Sequence, residues 1–366
     1  MEAWRAWLRR PAALPARLLA ALLAMAPLQA PQAGTLAAML ESPLASPLAS
    51  PLESPLEAPL ASTLESSEHA AAHGASAQAA TARADGPAPV RARHQGGFYR
   101  ISGHGRVAYL LGTVHVGQAS FYPLAPEAQR VLAGADHLVV ELDTGANEAF
   151  AQAVARHGRY PDGGDIRKRL ARDTLARLSD ALHAEGVSVA SMAHLKPWLI
   201  ANLLLSMRLE REGFRRSEGV EEQLLTQARR RGIKVVQLES ADTQLALFDS
   251  MNDIESERYL RETLDGLADG SVLRKAGRII EAWRTGEPAA LDALLPEATA
   301  GGTTIADFTR RKLLGRRNAD MAAHIDDLMT HSGGVIFVGV GLLHLLGENG
   351  LPALLAQRGY LVERVY

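Results

Sequence analysis

Two histidines stand at the same distance beyond a glycine, in Gly112-Thr-Val-His115 and in Gly341-Leu-Leu-His344, and each glycine closes or nearly closes an apolar run. Glycine at such a turn lets the backbone approach a ligand closely. Two further apolar runs close in acids, "HLVVELD" in Glu141 and Asp143 and "IKVVQLES" in Glu239. Two imidazoles with one or two carboxylates suit a divalent metal ion. Such an ion polarises a carbonyl or acidifies a bound water, and a carboxylate left off it can act as general base. Each residue also has an ordinary alternative. A histidine beside an apolar run can be a satisfied core residue. Glu141 and Glu239 can cap helices or pair with arginines, and Asp143 can be the N-cap of the helix that follows. The repeated Gly-x-x-His spacing brings the chemical reading level with packing.

That chemistry requires the four runs to be neighbouring strands ending at one edge, because ligands of open α/β sheets bind beyond the carboxyl ends of the strands. The sequence supports such a sheet. "FYRI" and "RVAYLLG" flank the turn Ser102 to Gly105, and Leu124 to Gly134 is compatible with a helix. "GVIFVGVG" (Gly334 to Gly341) is a third continuous apolar strand, "LPALLAQRG" a short helix, and "YLVERVY" an alternating edge strand. Short apolar runs between helical stretches predict strands buried on both faces, hence an α/β core. Asp165 to Arg231 and Ala241 to His331 have helical period and are rich in Leu, Ala, Arg and Glu. They predict large helical insertions packed on the sheet and forming a cap over one edge.

Composition narrows the possibilities. The chain has 366 residues, 47% apolar and 22% charged, with a formal net charge of -2. No basic stripe with interleaved aromatics marks a nucleic-acid binder. The absence of cysteine removes thiol catalysis, zinc-thiolate sites, iron–sulfur clusters and disulfides. "GVGLLH" begins like a dinucleotide fingerprint, but His344 stands where the third glycine belongs. No G-x-S-x-G elbow, H-E-x-x-H helix or P-loop occurs.

The first hundred residues read differently. Arg5, Arg9, Arg10 and Arg17 precede the apolar run Leu18 to Leu28, and small residues end at Ala30. This is the pattern of a secretory signal over 1–30, too short for a span needing about 20 apolar residues; an uncleaved anchor in the inner membrane is the alternative. Residues 31–96 are a low-complexity Pro/Ala/Ser-rich linker, with proline at 43, 47, 51, 55 and 59. The folded domain is expected over 97–366, periplasmic or secreted, with no stable membrane span once the signal is removed.

The motifs "LLGTVH" and "GVGLLHLLGENGLPALLAQRGYLVERV", the strand acid of "VVELD", "VVQLES" followed by Gln244, and "RRNADMA" (Arg316 to Ala322) resemble the TraB/GumN family. The resemblance implies a fold related to Tiki proteases, erythromycin esterases and haem-binding ChaN-like proteins. It also implies metal-dependent proteolysis as the activity of some members. The motif histidines fall on His115 and His344 and the early glutamate on Glu141. Arg317 and Asn318 match a polar pair suited to transition-state charge, and Glu239 matches the acid of the middle strand. The usual Gly-x-Asp reads Gly219-Val220-Glu221, a departure that leaves this position without a role.

The resulting expectation is an exported metal-dependent hydrolase acting on a peptide or protein. His115, His344 and Glu239 would be ligands of Mn, Co or Zn, and Glu141, Arg317 and Asn318 the catalytic groups. The alternative is a haem- or metal-binding envelope protein without turnover, with Tyr122 and His157 the nearest candidates for a separate haem ligand. A third reading makes the histidines structural in an envelope interaction protein.

Overall fold

The computed structural model of the protein describes residues 94–143, 147–161 and 163–366. The expected signal, 1–30, and nearly all of the expected linker, 31–96, lie outside the described residues.

A six-stranded sheet organises the described chain, in the order β4-β3-β5-β2-β1-β6. β1 (Phe98–Gly103) and β2 (Arg106–Thr113) form the expected hairpin. β2 then pairs in parallel with β5 (Val335–Gly341), β5 with β3 (His137–Val140), and β3 with β4 (Lys234–Gln237). β6 (Leu361–Arg364) pairs antiparallel with β1 at the other edge. Three of the apolar runs are thus the inner strands β3, β5 and β2, whereas β4, from "IKVVQLES", is the edge strand and stays partly exposed because only one neighbour pairs with it. In β5 every residue after Val335 is buried, as a strand covered on both faces requires. The register sets Thr113 opposite Gly341 and Val140 opposite both Gly339 and Gln237. The carboxyl ends of the four parallel strands therefore lie within two residues of one another.

Twelve α-helical stretches are described. α1 (Pro126–Ala133), α2 (Asn147–His157), α3 (Arg172–Ala184), α4 (Pro197–Arg211) and α5 (Val220–Arg231) precede β4. α6 (Ala241–Asp249), α7 (Asp253–Ala268), α8 (Ser271–Thr285), α9 (Pro288–Thr299), α10 (Thr304–Phe308) and α11 (Arg317–His331) separate β4 from β5. α12 (Leu351–Gln357) leads into β6. Local chemistry sets many of the boundaries. Proline opens α1, α4 and α9 where its missing N–H is harmless. Asn252 and Glu255 cap α7 reciprocally.

Two apolar cores result. One surrounds the sheet and includes Phe98, Leu110, Val139, Phe337, Met321 and Ile325. The other belongs to the helical cap and includes Trp198, Leu204, Leu245, Phe248, Leu260, Phe308 and Leu313. Leu142, one residue past Glu141, packs in the cap core. The cap accordingly sits over the carboxyl end of β3, as the helical insertions predicted.

α10 and α11 are joined without a break by a π-helical segment, Thr309–Arg316. Its wider turns re-phase the buried stripe. Phe308 and Leu313 face the cap core, whereas Met321, Ile325 and Met329 face the sheet core. π-helical turns of this kind often occur at functional sites. Arg317 and Asn318 are the first residues after it, and both are buried.

Candidate functional site

Strand order and register bring His115, Glu141, Glu239 and His344 to one edge. β2 delivers His115 two residues past Thr113. Glu141 follows Val140 directly, and Glu239 donates its backbone N–H to the Glu141 carbonyl at 3.0 Å, extending the β3–β4 ladder. β5 ends in Gly341, and a 3₁₀ turn (Leu342–Leu345) turns His344 back inward. The ends of α5 and α11 supply Glu221, Arg317 and Asn318.

Glu141 is the centre. Its side chain is 1% exposed. Oε1 accepts the Gly341 N–H at 2.6 Å and Oε2 accepts Arg317 Nη2 at 2.8 Å, while His344 Nε2 stands 3.5 Å from Oε1. Burial alone would raise the carboxyl pKa. His344, Arg317, His115 and the Gly341 amide outweigh it and hold the pKa at about 2. Glu141 is therefore an anion at neutral pH.

Each imidazole is gripped at Nδ1. His115 Nδ1 lies 2.9 Å from Glu221 Oε2, and His344 Nδ1 lies 2.5 Å from Asn318 Oδ1. Asn318 uses its amide N–H on the Asn349 carbonyl at 2.7 Å, so its oxygen faces the ring. Burial, with Arg317 and His115 nearby, lowers His344 to about 4 despite Glu141. His344 is neutral at pH 7, donates from Nδ1 and keeps its lone pair on Nε2. For His115, burial lowers the pKa, but Glu221, with Glu141 adding, carries it above the ordinary value. Glu221 is itself raised by burial, against the pull of His115.

The two imidazole rings and the carboxylate surround Gly341. A Cβ on Gly341 would lie 3.0 Å from Glu141 Oε1, 3.3 Å from His115 Nε2 and 3.6 Å from His344 Cδ2. The glycine leaves a small cradle at the meeting point of all three side chains. His115 is 14% exposed, against 4% for His344, so the cradle opens on the His115 side.

Arg317 and Asn318 do something other than the sequence suggested. Arg317 Nε and Nη2 bind both oxygens of Glu239 at 2.6–3.0 Å, Nη2 also binds Glu141, and Nη1 caps the Leu313 carbonyl at 3.1 Å. Asn318 is committed to His344 and Asn349. With these bonds made, neither is aimed at a substrate oxyanion. They fix the acids and one imidazole. Glu239 faces Arg317 and Gln244 Nε2, at 3.0 Å, rather than the histidines. Asp143 is drawn off by Arg229 and by Gln237.

Glu221 is the residue that sequence reasoning passed over. The acid at the third position of Gly219-Val220-Glu221 was the available signal. The exchange of aspartate for glutamate obscured it. For a separate haem ligand, Tyr122 and His157 fare poorly. The Tyr122 hydroxyl donates to the Glu218 carbonyl at 2.7 Å, and both His157 nitrogens face carboxylates, of Asp242 and Asp249, at 2.9 and 3.2 Å.

Among the described residues no three His, Asp or Glu side chains already stand as a metal-binding group. In donor type and charge, however, the residues fit a divalent ion. His115 Nε2, Glu141 Oε1 and the His344 ring, by its Cδ2, border the cradle, and His344 Nε2 lies 3.5 Å from Glu141 Oε1. Imidazole nitrogens beside a buried carboxylate are ligands that such an ion takes.

A family model described as the TraB/PrgY/gumN family matches residues 97–364. A protein of Shigella flexneri named "Uncharacterized protein YbaP" is 27% identical over 251 residues, covering 68% of this chain and 88% of that protein. Its namesake in Escherichia coli (strain K12) is 27% identical over 248 residues, covering 68% and 87%. No solved structure matches.

Proposed function

The chain belongs to the TraB/PrgY/gumN family, and on that premise we propose that it is an exported metal-dependent hydrolase cleaving an amide bond of a peptide or protein. One observation carries the reading. His115 Nε2, Glu141 Oε1 and the His344 ring meet around the space left by Gly341. A divalent ion of the Mn, Co or Zn kind would be held there by His115, His344 and Glu141. When bound, such an ion lowers the pKa of a water and polarises the scissile carbonyl. In hydrolysis the water oxygen bonds to the carbonyl carbon, the C–N bond breaks, and the water's proton passes to the leaving nitrogen.

The chain's own residues prepare that chemistry. Glu221 and Asn318 fix the imidazole tautomers. Arg317 helps to keep Glu141 ionised and holds Glu141 and Glu239 in place. The cap covers the edge above β3 and limits water. Export rests on the signal pattern of 1–30. Among the described residues no helix is long and apolar enough to cross a membrane.

A second reading, metal or haem binding without turnover, is favoured by a different observation. Each acid of the cluster already accepts a hydrogen bond: Glu141 from Arg317 and Gly341, Glu239 from Arg317 and Gln244, Glu221 from His115. One experiment separates the two. Metal content and metal-stimulated cleavage of a peptide library are measured for the purified protein, His115→Ala and His344→Ala. The hydrolase reading expects a stoichiometric ion and cleavage, both lost in the variants. An ion without cleavage gives the binding reading. Neither ion nor cleavage ends the hydrolase reading, and a haem titration with no Soret shift would then end the other.

A further inference from the structure

We propose that Glu221 is a positioning residue of the cradle: its buried carboxylate holds His115 at Nδ1 and so directs the Nε2 lone pair toward Gly341. The proposal rests on the metal-site reading given above, and extends it to a residue outside the strand-end set.

The backbone is built to make this contact. The loop after β2 is stitched to the chain entering α5. Gly117 and Arg215 exchange both backbone hydrogen bonds, at 2.9 and 2.8 Å, and Val220 N–H donates to the Val114 carbonyl at 2.9 Å. Gly219 lies so close that a Cβ there would be 2.5 Å from the His115 carbonyl oxygen. Only a residue without a side chain admits this approach. Main-chain bonds thus flank His115 on both sides and lead directly into Glu221, and the two side chains meet at 2.9 Å.

The chemistry of the pair fixes the direction of the proton. When the carboxylate is ionised it only accepts, so the imidazole donates from Nδ1, and in the neutral ring the lone pair is then at Nε2. Glu221 is 2% exposed and has another anion, Glu141, in its neighbourhood. Burying a carboxylate near a like charge opposes folding. Arg216, buried nearby, offsets part of that cost, and the carboxylate fixes the imidazole at Nδ1. The contrast with His344 is informative, because its Nδ1 partner is the neutral amide of Asn318. The anionic partner is given to the more exposed imidazole, on the side from which the cradle is reached.

The test uses the full chain, wild type beside Glu221→Gln and Glu221→Asp. Calorimetric titration with Mn²⁺, Co²⁺ and Zn²⁺ reads affinity, and the imidazole ¹⁵N shifts of His115 in metal-free protein read the tautomer. Near-UV circular dichroism confirms that each variant is folded. Partners of this kind are worth about 10–100-fold in metal affinity. The expected result is a loss of that size in Glu221→Gln, partial recovery in Glu221→Asp, and an Nδ1-protonated ring in wild type whose shifts move in Glu221→Gln. Wild-type affinity in Glu221→Gln overturns the proposal. If wild type takes up no ion, the metal reading fails on its own account and the ring decides. An Nδ1-protonated His115 that responds to Glu221→Gln retains the positioning role, and an Nε2-protonated or unresponsive ring removes it.

Discussion

Arg317 joins Glu141 to Glu239: one guanidinium, 4% exposed, binds acids from two adjacent strands at 2.8 and 2.6 Å. Removing it strands two buried anions side by side. Breaking a buried pair in this way costs about 3–5 kcal/mol. Arg317→Met should therefore lower the urea midpoint by an amount of that order. Arg317→Lys should recover only part, because a point charge cannot span both acids as the planar fork does. A Met variant as stable as wild type would show that the bridge contributes little to folding.

Acid should weaken the fold in two stages. His344 titrates near 6.5 when unfolded and near 4 when folded. Between those values the unfolded chain takes up a proton that the folded chain refuses, so stability falls as pH drops through that window. Glu141 adds a second loss as pH falls from its unfolded 4.5 toward about 2. The melting temperature should thus decline below pH 6.5, and His344→Gln should flatten the upper limb and also shrink the lower one, because His344 helps to hold Glu141 down. A melting temperature constant from pH 7 to pH 4 would contradict this account of His344.

Gly219 and Gly341 should answer differently to alanine. At Gly219 the new carbon would lie 2.5 Å from a backbone oxygen, and the stitched loop has no flexible atom to move aside. Overpacking of this sort costs about 1–3 kcal/mol, so Gly219→Ala should appear chiefly in thermal or urea denaturation. At Gly341 the contacts, 3.0 and 3.3 Å, are to the ends of Glu141 and His115. Gly341→Ala should fold and lose metal-induced stabilisation. Equal metal response in Gly341→Ala and wild type would mean the cradle is not where an ion sits.

Asn318→Ala removes the acceptor of His344 Nδ1 and the donor to the Asn349 carbonyl. Leaving a buried polar group without a partner costs about 1–3 kcal/mol. The loss should be visible as faster amide hydrogen exchange around residues 344–349. Unchanged exchange there would show that the pair is dispensable to the turn.

Much of this was legible in the chain. The parallel strands could be read because each is a short apolar run, and their ends because each run stops at a group unlike those before it. Once strands are parallel neighbours, His115, Glu141, Glu239 and His344 must share an edge. What could not be read lies in contacts between elements. His115 and Glu221 are 106 residues apart, and no periodicity links a loop after one strand to the first turn of a helix in another segment. The roles of Arg317 and Asn318 were missed for a related reason. Residue type showed a cation and an amide, but not that Glu239, Glu141, Leu313, His344 and Asn349 would use them up. The strands also end earlier than the apolar runs. β3 stops at Val140, although the Glu141 carbonyl still accepts the Glu239 N–H.

The helix that runs unbroken from Thr304 to His331 is seated in both cores, by Phe308 and Leu313 at one end and by Met321, Ile325 and Met329 at the other. Arg317 stands where one seating gives way to the other, so a single continuous element ties the helical cap to the two acids at the edge of the sheet.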